Sequence, residues 1–573
     1  MAFQLSPGVN ITEKDITLIV PAVATTPGGM VSPFQWGPAE EVNLIDNERT
    51  LVQTFSTPRD TDYYSKFWYC ASNFLAYGNN LKVVRAVTAA DLNAVSTGAG
   101  VQIKNLQTYT TSGATLLSGK GPWAAKYPGD LGNSLKVVVL DSASSDNYGE
   151  TSGTEDYADW MDNFDNVPST STYAESLGLS GINDEIHILV IDKDGKWTGT
   201  PGTILEKYAF LSKASNGIKS DGTSNYYKTV INNESKYIWW VSHPQSKTWG
   251  TELTPTAAAF PVLSGSIQIN SLVNGANHTS ISDAAIAALY NTYFGDPDEI
   301  DVSFFIAGPL EASAAKEVIE TAEQRKDCIA FVSATTVDAT DTIQTKLTDA
   351  LTYRTDLQIS SSYGVMDSGN KLQYDRYNDV YRYIPLCADV AGCCVRTDQD
   401  RDPWFSPAGA DRGRILNAVR LAYNPPKAHR DELYKKGINP VVSFEGAGPI
   451  LFGDRTLLSK PSAFDRINVR RLFIVLEKAI ATAARNILFE FNDEFTRSQF
   501  KLLVEPYLTN VKARRGITDF KVVCDETNNT GQVIDSNNFV ADIYIKPNRS
   551  INFIQLNFIA TPTGLSFEEV TGF

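Results

Sequence analysis

Residues 465–487 read DRINVRRLFIVLEKAIATAARNI, and Val469, Leu472, Phe473, Leu476, Ile480, Ala483 and Ile487 recur at three- or four-residue spacing. That period puts them on one apolar stripe of a helix. Arg471, Lys478 and Arg485 lie seven residues apart and share another face, with Arg466 and Arg470 at its leading end. Such a basic row is either a solvated face or a docking row, and internal ion pairs are the other reading of Arg470 and Arg471.

Elsewhere the period changes along the chain. In residues 1–22, Val9 and Ile11 alternate with polar neighbours, and Ile16, Leu18 and Val20 do the same before Pro21. This predicts a strand without a hairpin partner, which pairs either within the chain or with a neighbouring one. Tyr64, Phe67, Trp68, Ala71 and Leu75 make a helical stripe that Gly78 is expected to cap. A buried strand follows at 81–87. Thr, Ser, Gly and Asn dominate 91–122, which marks a boundary or exposed loop. Residues 123–275 alternate strand patterns (LGNSLKVVVLD, EIHILVIDKDGKW, KYIWWVS) with polar loops, and the acidic, Ser/Thr-rich 141–183 is expected outside. From residue 300, DVSFFIAGP, EASAAKEVIETAEQRK and CIAFVSA read as strand, amphipathic helix and strand, a parallel crossover. The C-terminal part adds a helix start at Asn492, an expected break at Pro506, and strands at 520–526, 539–547 and 551–560.

The predicted fold class is multidomain, α/β and α+β. An arm (1–22) precedes a small α/β core (23–90 plus 276–415). An inserted mainly-β domain (91–275) and an α+β C-terminal domain (416–573) with a strand-like tail complete it.

Charge sharpens the division. The chain of 573 residues carries −16, yet residues 411–573 hold 22 basic against 18 acidic residues, and the remainder 28 against 48. A mostly acidic chain speaks against a nucleic-acid partner and points to an acidic protein facing the C-terminal part. No run of eighteen apolar residues offers a membrane span, and no signal peptide is evident at the N-terminus. The six cysteines are sparse and read as reduced core residues.

Candidate chemistry is thin. The four histidines (187, 243, 278, 429) stand far apart, without metal-ligand or triad spacing. Gly113, Gly119 and Lys120 resemble a phosphate loop, but the glycines are one residue too far apart and Gly121 replaces the required Ser or Thr. Asp192 and Asp194 resemble a calcium loop that lacks its later carboxylates, so a hairpin turn at Asp194-Gly195 explains them better. No enzyme, cofactor or metal is expected.

Several blocks carry a resemblance: LSPGVNITEKD (5–15), FQWGPAEEV (34–42), NFLAYGNNLKVVRAV (73–87) and KYPGDLGNSLKV (126–137). YDRYNDVYRYIPLCADVAGCCVRTD (374–398), SPAGADRGRILN (406–417), FDRINVRRLF (464–473) and the stretch 522–564 continue it. In this order they resemble the tail sheath proteins of contractile-tailed phages, T-even type. The resemblance implies a virion structural subunit, assembled in the host cytoplasm, that stacks as hexameric rings around a tail tube and contracts to drive it through the host envelope. It implies as partners further copies of the chain, the tube protein, and baseplate and tail terminator proteins. It also implies arms that add strands to neighbouring subunits: Leu5, Val9, Ile11, Ile16, Leu18 and Val20 at one end, Leu565 and Phe567 at the other. Val540, Ile543, Ile545, Ile554, Leu556 and Phe558 are expected in the accepting sheet, and Arg466, Arg470, Arg471, Lys478 and Arg485 against the tube.

Overall fold

The computed structural model describes residues 24–142 and 157–552. It divides into a large unit, Ala24–Asp400 with Pro407–Pro461, and a C-terminal unit, Arg401–Ser406 with the chain from Ser462 onward. The second unit therefore starts at Ser462, not at residue 416. Residues 416–461 stay with the large unit because Ile438–Asn439 pairs in parallel with Gly364–Asp367, and Arg420–Leu421 pairs with Asn370–Asp375.

The large unit is built on a seven-stranded sheet. Its order is Ile438–Asn439, Gly364–Asp367, Ile329–Ser333, Phe304–Ile306, Gly28–Ser32, Leu81–Arg85 and Val42–Ile45. The first six are parallel, and Val42–Ile45 closes the sheet antiparallel. Phe304–Ile306 and Ile329–Ser333, joined through the helix Ala312–Arg325, form the crossover expected from the sequence. Their unbroken apolar runs follow from burial on both faces. The central strand Gly28–Ser32 escapes sequence reading, since GGMVS carries little strand propensity. Its glycines answer to packing: a Cβ at Gly28 would lie 2.8 Å from the Phe74 ring, and one at Gly29 would lie 3.0 Å from Val302. Two helix pairs pack on this sheet, Asp62–Leu75 with Cys387–Asp400 and Asp283–Phe294 with Ala312–Arg325. Ala76 rather than Gly78 ends the first of these helices. Gly78 instead makes room for Val395, whose Cγ1 would sit 2.9 Å from an added Cβ.

Within this unit the chain departs near Leu92 and returns at Ala276, and these two residues are bridge partners. The excursion holds a four-stranded antiparallel sheet in the order Thr203–Ser212, Glu185–Asp192, Leu135–Asp141, Ile267–Ser271, and the pair Trp123–Ala125 and Ile238–Trp240. Both faces of the larger sheet are apolar. Val137, Val139, Ile188 and Val190 enter one cluster, while Val138, Leu140, Leu189 and Ile191 enter another. Period-two alternation with apolar residues on both faces reads as a continuous run, hence LKVVVL and IHILVI. The segment 141–183 is not all outside, since Asp141, Tyr157, Met161, Phe164 and Ala174 are buried. The expected hairpin exists, but residues 193–202 join its strands in place of a tight Asp-Gly turn. Asp192 organises that loop by accepting from the Trp197 and Thr198 amides, each at 2.9 Å.

The C-terminal unit is smaller. Two helices, Ile467–Ala484 and Glu494–Ala513, pack with an antiparallel ribbon, Ile517–Val523 and Asp542–Pro547. Leu472, Leu476, Phe500, Val504, Leu508, Val511 and Ile517 form its core, with Trp404. Asp493 caps the second helix by accepting from the Thr496 amide at 2.8 Å. Pro506 does not break that helix, which continues to Ala513. Apolar residues on both sides of the proline hold it against the core, and this packing outweighs one missing backbone hydrogen bond.

Candidate functional site

The large unit contains one buried polar constellation at the C-terminal ends of two parallel strands, where α/β enzymes place their chemistry. Ser333 Oγ donates to Asp367 Oδ2 at 2.7 Å, the Gly369 amide donates to Oδ1 at 2.9 Å, and the Cys387 amide donates to Ser333 Oγ. Nearby, Lys371 Nζ meets Asp389 Oδ1 at 2.8 Å, and the Tyr77 hydroxyl bonds to the same oxygen. Burial pushes the Asp367 carboxyl up to about 8, so it is largely neutral at pH 7. Lys371 and Asp389 are sealed from solvent and Asp367 is buried, so these groups hold the sheet end together and offer no cleft to a substrate.

The other candidate groups are also spent internally. Gly113 lies inside the helix Leu106–Leu116, and Lys120 donates to the Ala99 carbonyl at 2.9 Å, an arrangement unlike a phosphate loop. His187 accepts from the Phe210 amide, His243 bonds Tyr227, His278 bonds Asp91, and His429 bonds Tyr423. Burial lowers the pKa of His187 and His243, favouring the neutral ring. Among the described residues no cluster of three or more His, Cys, Asp or Glu is placed to hold a metal, and no helix is long and apolar enough to cross a membrane. All six cysteines are buried.

The C-terminal unit presents surface instead. Its basic helix does not display the expected row: Arg470 and Arg471 are buried. The Arg470 guanidinium stacks 4.1 Å from the Phe464 ring centroid. A planar, weakly hydrated guanidinium tolerates such a site where an ammonium would not. Arg466 is half-buried with its Nε 3.7 Å from Asp465, Lys478 is half-buried, and Arg485 is exposed.

Ile543 and Ile545 project from the ribbon toward the helical core, while Tyr544 and Lys546 face outward. Val540 is half-buried, its amide and carbonyl both bonded to the Asn529 side chain. Among the described residues the ribbon has only two strands, so each leaves one edge without a strand beside it. Leu5, Val9, Ile11, Ile16, Leu18, Val20, Ile554, Leu556, Phe558, Leu565 and Phe567 lie outside the described residues.

Sequence reasoning missed the corner between the two helices. Leu488 (63%), Phe489 (105%), Phe491 (83%) and Phe495 (75%) are exposed there, and Leu502 (74%) further along the second helix. Burying each such side chain against a partner is worth roughly 1.5–3 kcal/mol. Three phenylalanines within seven residues, after the helical stripe has ended, were the available signal.

Comparison with known proteins gives this architecture its place. The chain is 35% identical to the tail sheath protein of Vibrio phage KVP40, an alignment covering 99% of this chain and all of that protein. The chain belongs to the phage tail sheath protein family. It is also 32% identical to the tail sheath protein of Enterobacteria phage T4, over 99% of both chains. The family profile for the phage tail sheath central domain matches residues 298–457, and that for the phage tail sheath C-terminal domain matches 459–561. The boundary between these profiles falls beside the start of the C-terminal unit at Ser462. A solved sheath tail protein from Listeria innocua shares the fold, with TM-score 0.52, 11% identity, and coverage of 92% of this chain and 96% of that one. The relatives are tail sheath proteins, which supports a structural sheath role for this chain.

Proposed function

We propose that this chain polymerises as stacked hexameric rings around a tail tube and contracts to drive the tube through the host envelope. The observation that carries the reading is the end-to-end match to phage tail sheath proteins at 30–35% identity. On this reading the subunit assembles in the host cytoplasm and meets its own copies, the tube protein, and baseplate and terminator proteins.

The terminal segments, residues 1–22 and those beyond Leu565, serve as arms that add strands to neighbouring subunits. The edges of the ribbon Ile517–Val523 and Asp542–Pro547, which have no strand beside them among the described residues, suit this role, because an edge strand offers a template for strand addition. Lys478 and Arg485, with Arg466 at the opposite end of the helix, take over the tube contact expected of the five basic residues. Surface charge pairs worth about 0–1 kcal/mol each suit a contact that must be released together on contraction. Contraction draws on a metastable packing of assembled subunits.

Electron microscopy of the purified full-length protein, beside a variant lacking residues 1–20, tests the reading. Striated tubes from the full-length protein alone support both the sheath role and the arms. Tubes from both proteins remove the arm from the account, and a full-length protein that forms no sheath even with tubes and baseplates refutes the function.

A further inference from the structure

The antiparallel sheet of the excursion holds an amine and a carboxyl group in contact, sealed from water. Lys213 follows the end of the strand Thr203–Ser212, and Asp141 ends the strand Leu135–Asp141. Both strands flank Glu185–Asp192, where Ile186 is the partner of Leu211 on one side and of Asp141 on the other. This register brings Lys213 Nζ to 2.5 Å from Asp141 Oδ1, with both side chains wholly buried. Each partner is held in place. The Lys213 amide donates to the Asp184 carbonyl at 2.6 Å, and Nζ donates to the Asn183 carbonyl at 2.5 Å. The Leu263 amide donates to Asp141 Oδ2 at 2.9 Å, and the Ser142 amide to Oδ1 at 2.7 Å. The Trp249 ring covers Nζ, with its centroid 5.1 Å away.

We propose that this pair condenses within the folded chain to an amide between Lys213 Nζ and Asp141 Cγ, with loss of one water. The ion pair is the reactant. Burial lowers the Lys213 pKa and so favours the uncharged amine, in spite of the nearby Asp141 and Asp184 carboxylates. Transfer of one proton from Nζ to Oδ1 gives an amine facing a carboxylic acid. An amine touching Oδ1 also touches Cγ, so the two groups meet at a very high effective concentration. The Nζ lone pair forms the C–N bond while the C=O π pair moves to Oδ2, where the Leu263 amide stabilises the negative charge. The C=O bond then re-forms, the C–Oδ1 bond breaks, and Oδ1 takes a second proton from the nitrogen and leaves as water. Atoms and charge balance without another reactant. The pair Lys371–Asp389 supplies a contrast. It is equally sealed at 2.8 Å, but Asp389 Oδ2 has no hydrogen-bond partner among the described residues to stabilise such a charge. It stays an ion pair.

Mass spectrometry of the full-length chain, denatured after incubation in its folded state, tests the proposal. The chain is expected to be lighter than its sequence by one water, about 18 Da. Trypsin is expected to release a branched peptide joining residues 208–219 to 137–193 through Lys213 and Asp141. Lys213→Arg keeps the positive charge without the amine and is expected to show the full mass. A parent chain of full mass overturns the proposal, as does loss of water in Lys213→Arg. A lost water mapped elsewhere overturns it too, whether to a succinimide at Asp194-Gly195 or Asp221-Gly222 or to a branch through Lys371 and Asp389. None of these outcomes bears on the sheath reading.

Discussion

The two units solve different problems with the same twenty side chains. The large unit seals its bulkiest side chains and some of its charges: Trp36, Trp68, Trp123 and Trp239 are fully buried, and its ion pairs Lys213–Asp141 and Lys371–Asp389 exclude water. The C-terminal unit turns much of its apolar content outward. Among its described residues the core rests on two helices and a two-stranded ribbon, and a ribbon of two strands is marginal alone. Among the described residues, the larger unit buries paired charges, while the smaller one exposes Phe489, Phe491 and Phe495.

That contrast is sharpest where a charge is trapped. Lys213→Met removes the cation facing Asp141, which also accepts from the Leu263 amide at 2.9 Å. We expect a loss of about 3–5 kcal/mol by chemical denaturation, because breaking a buried pair strands the remaining charge. A loss below about 1 kcal/mol would show that the large unit is less sealed than its burial indicates. Asp367 offers the opposite sign. Its folded pKa of about 8 lies above the ordinary value near 3.9, so its stabilising protonated form is complete below about pH 4. Stability then falls as pH rises toward 8. Asp367→Asn is therefore expected to leave stability nearly unchanged at pH 4 and raise it by roughly 2–4 kcal/mol at pH 8. Equal melting shifts at both pH values would break this account.

In the smaller unit, Leu508→Ala removes a fully buried side chain and is expected to cost about 2–4 kcal/mol. The loss should appear as an earlier transition confined to that unit, seen by hydrogen exchange in Ile467–Ala484 and Glu494–Ala513. At the small end, Lys478→Gln with Arg485→Gln should change stability by no more than about 0.5 kcal/mol while weakening assembly on tubes. A parent-like yield on tubes would remove these two residues from the proposed contact.

The sequence made the periodic parts legible. The crossover through Ala312–Arg325 and the helix Ile467–Ala484 both follow from spacing alone. The order of motif blocks along the chain already resembles that of the tail sheath family. What stayed hidden depended on neighbours far along the chain. The strand Gly28–Ser32 is glycine-rich because Phe74 and Val302 crowd it, and Arg471 is buried although its spacing suits an exposed row. Pro506 sits in a continuous helix because tertiary packing overrides a local rule. The candidate surface was less legible than the fold, since exposure of Phe489 and Phe491 is decided by what does not cover them.

The bridge between Leu92 and Ala276 has a consequence for how such a protein varies over generations. The excursion leaves and rejoins the frame at adjacent points, so its length is uncoupled from the spacing of every strand in the parallel sheet. Residues gained or lost between those points leave the register of the parallel sheet undisturbed. The position is a natural site for inherited novelty, and for a laboratory that wishes to graft a foreign domain onto each subunit.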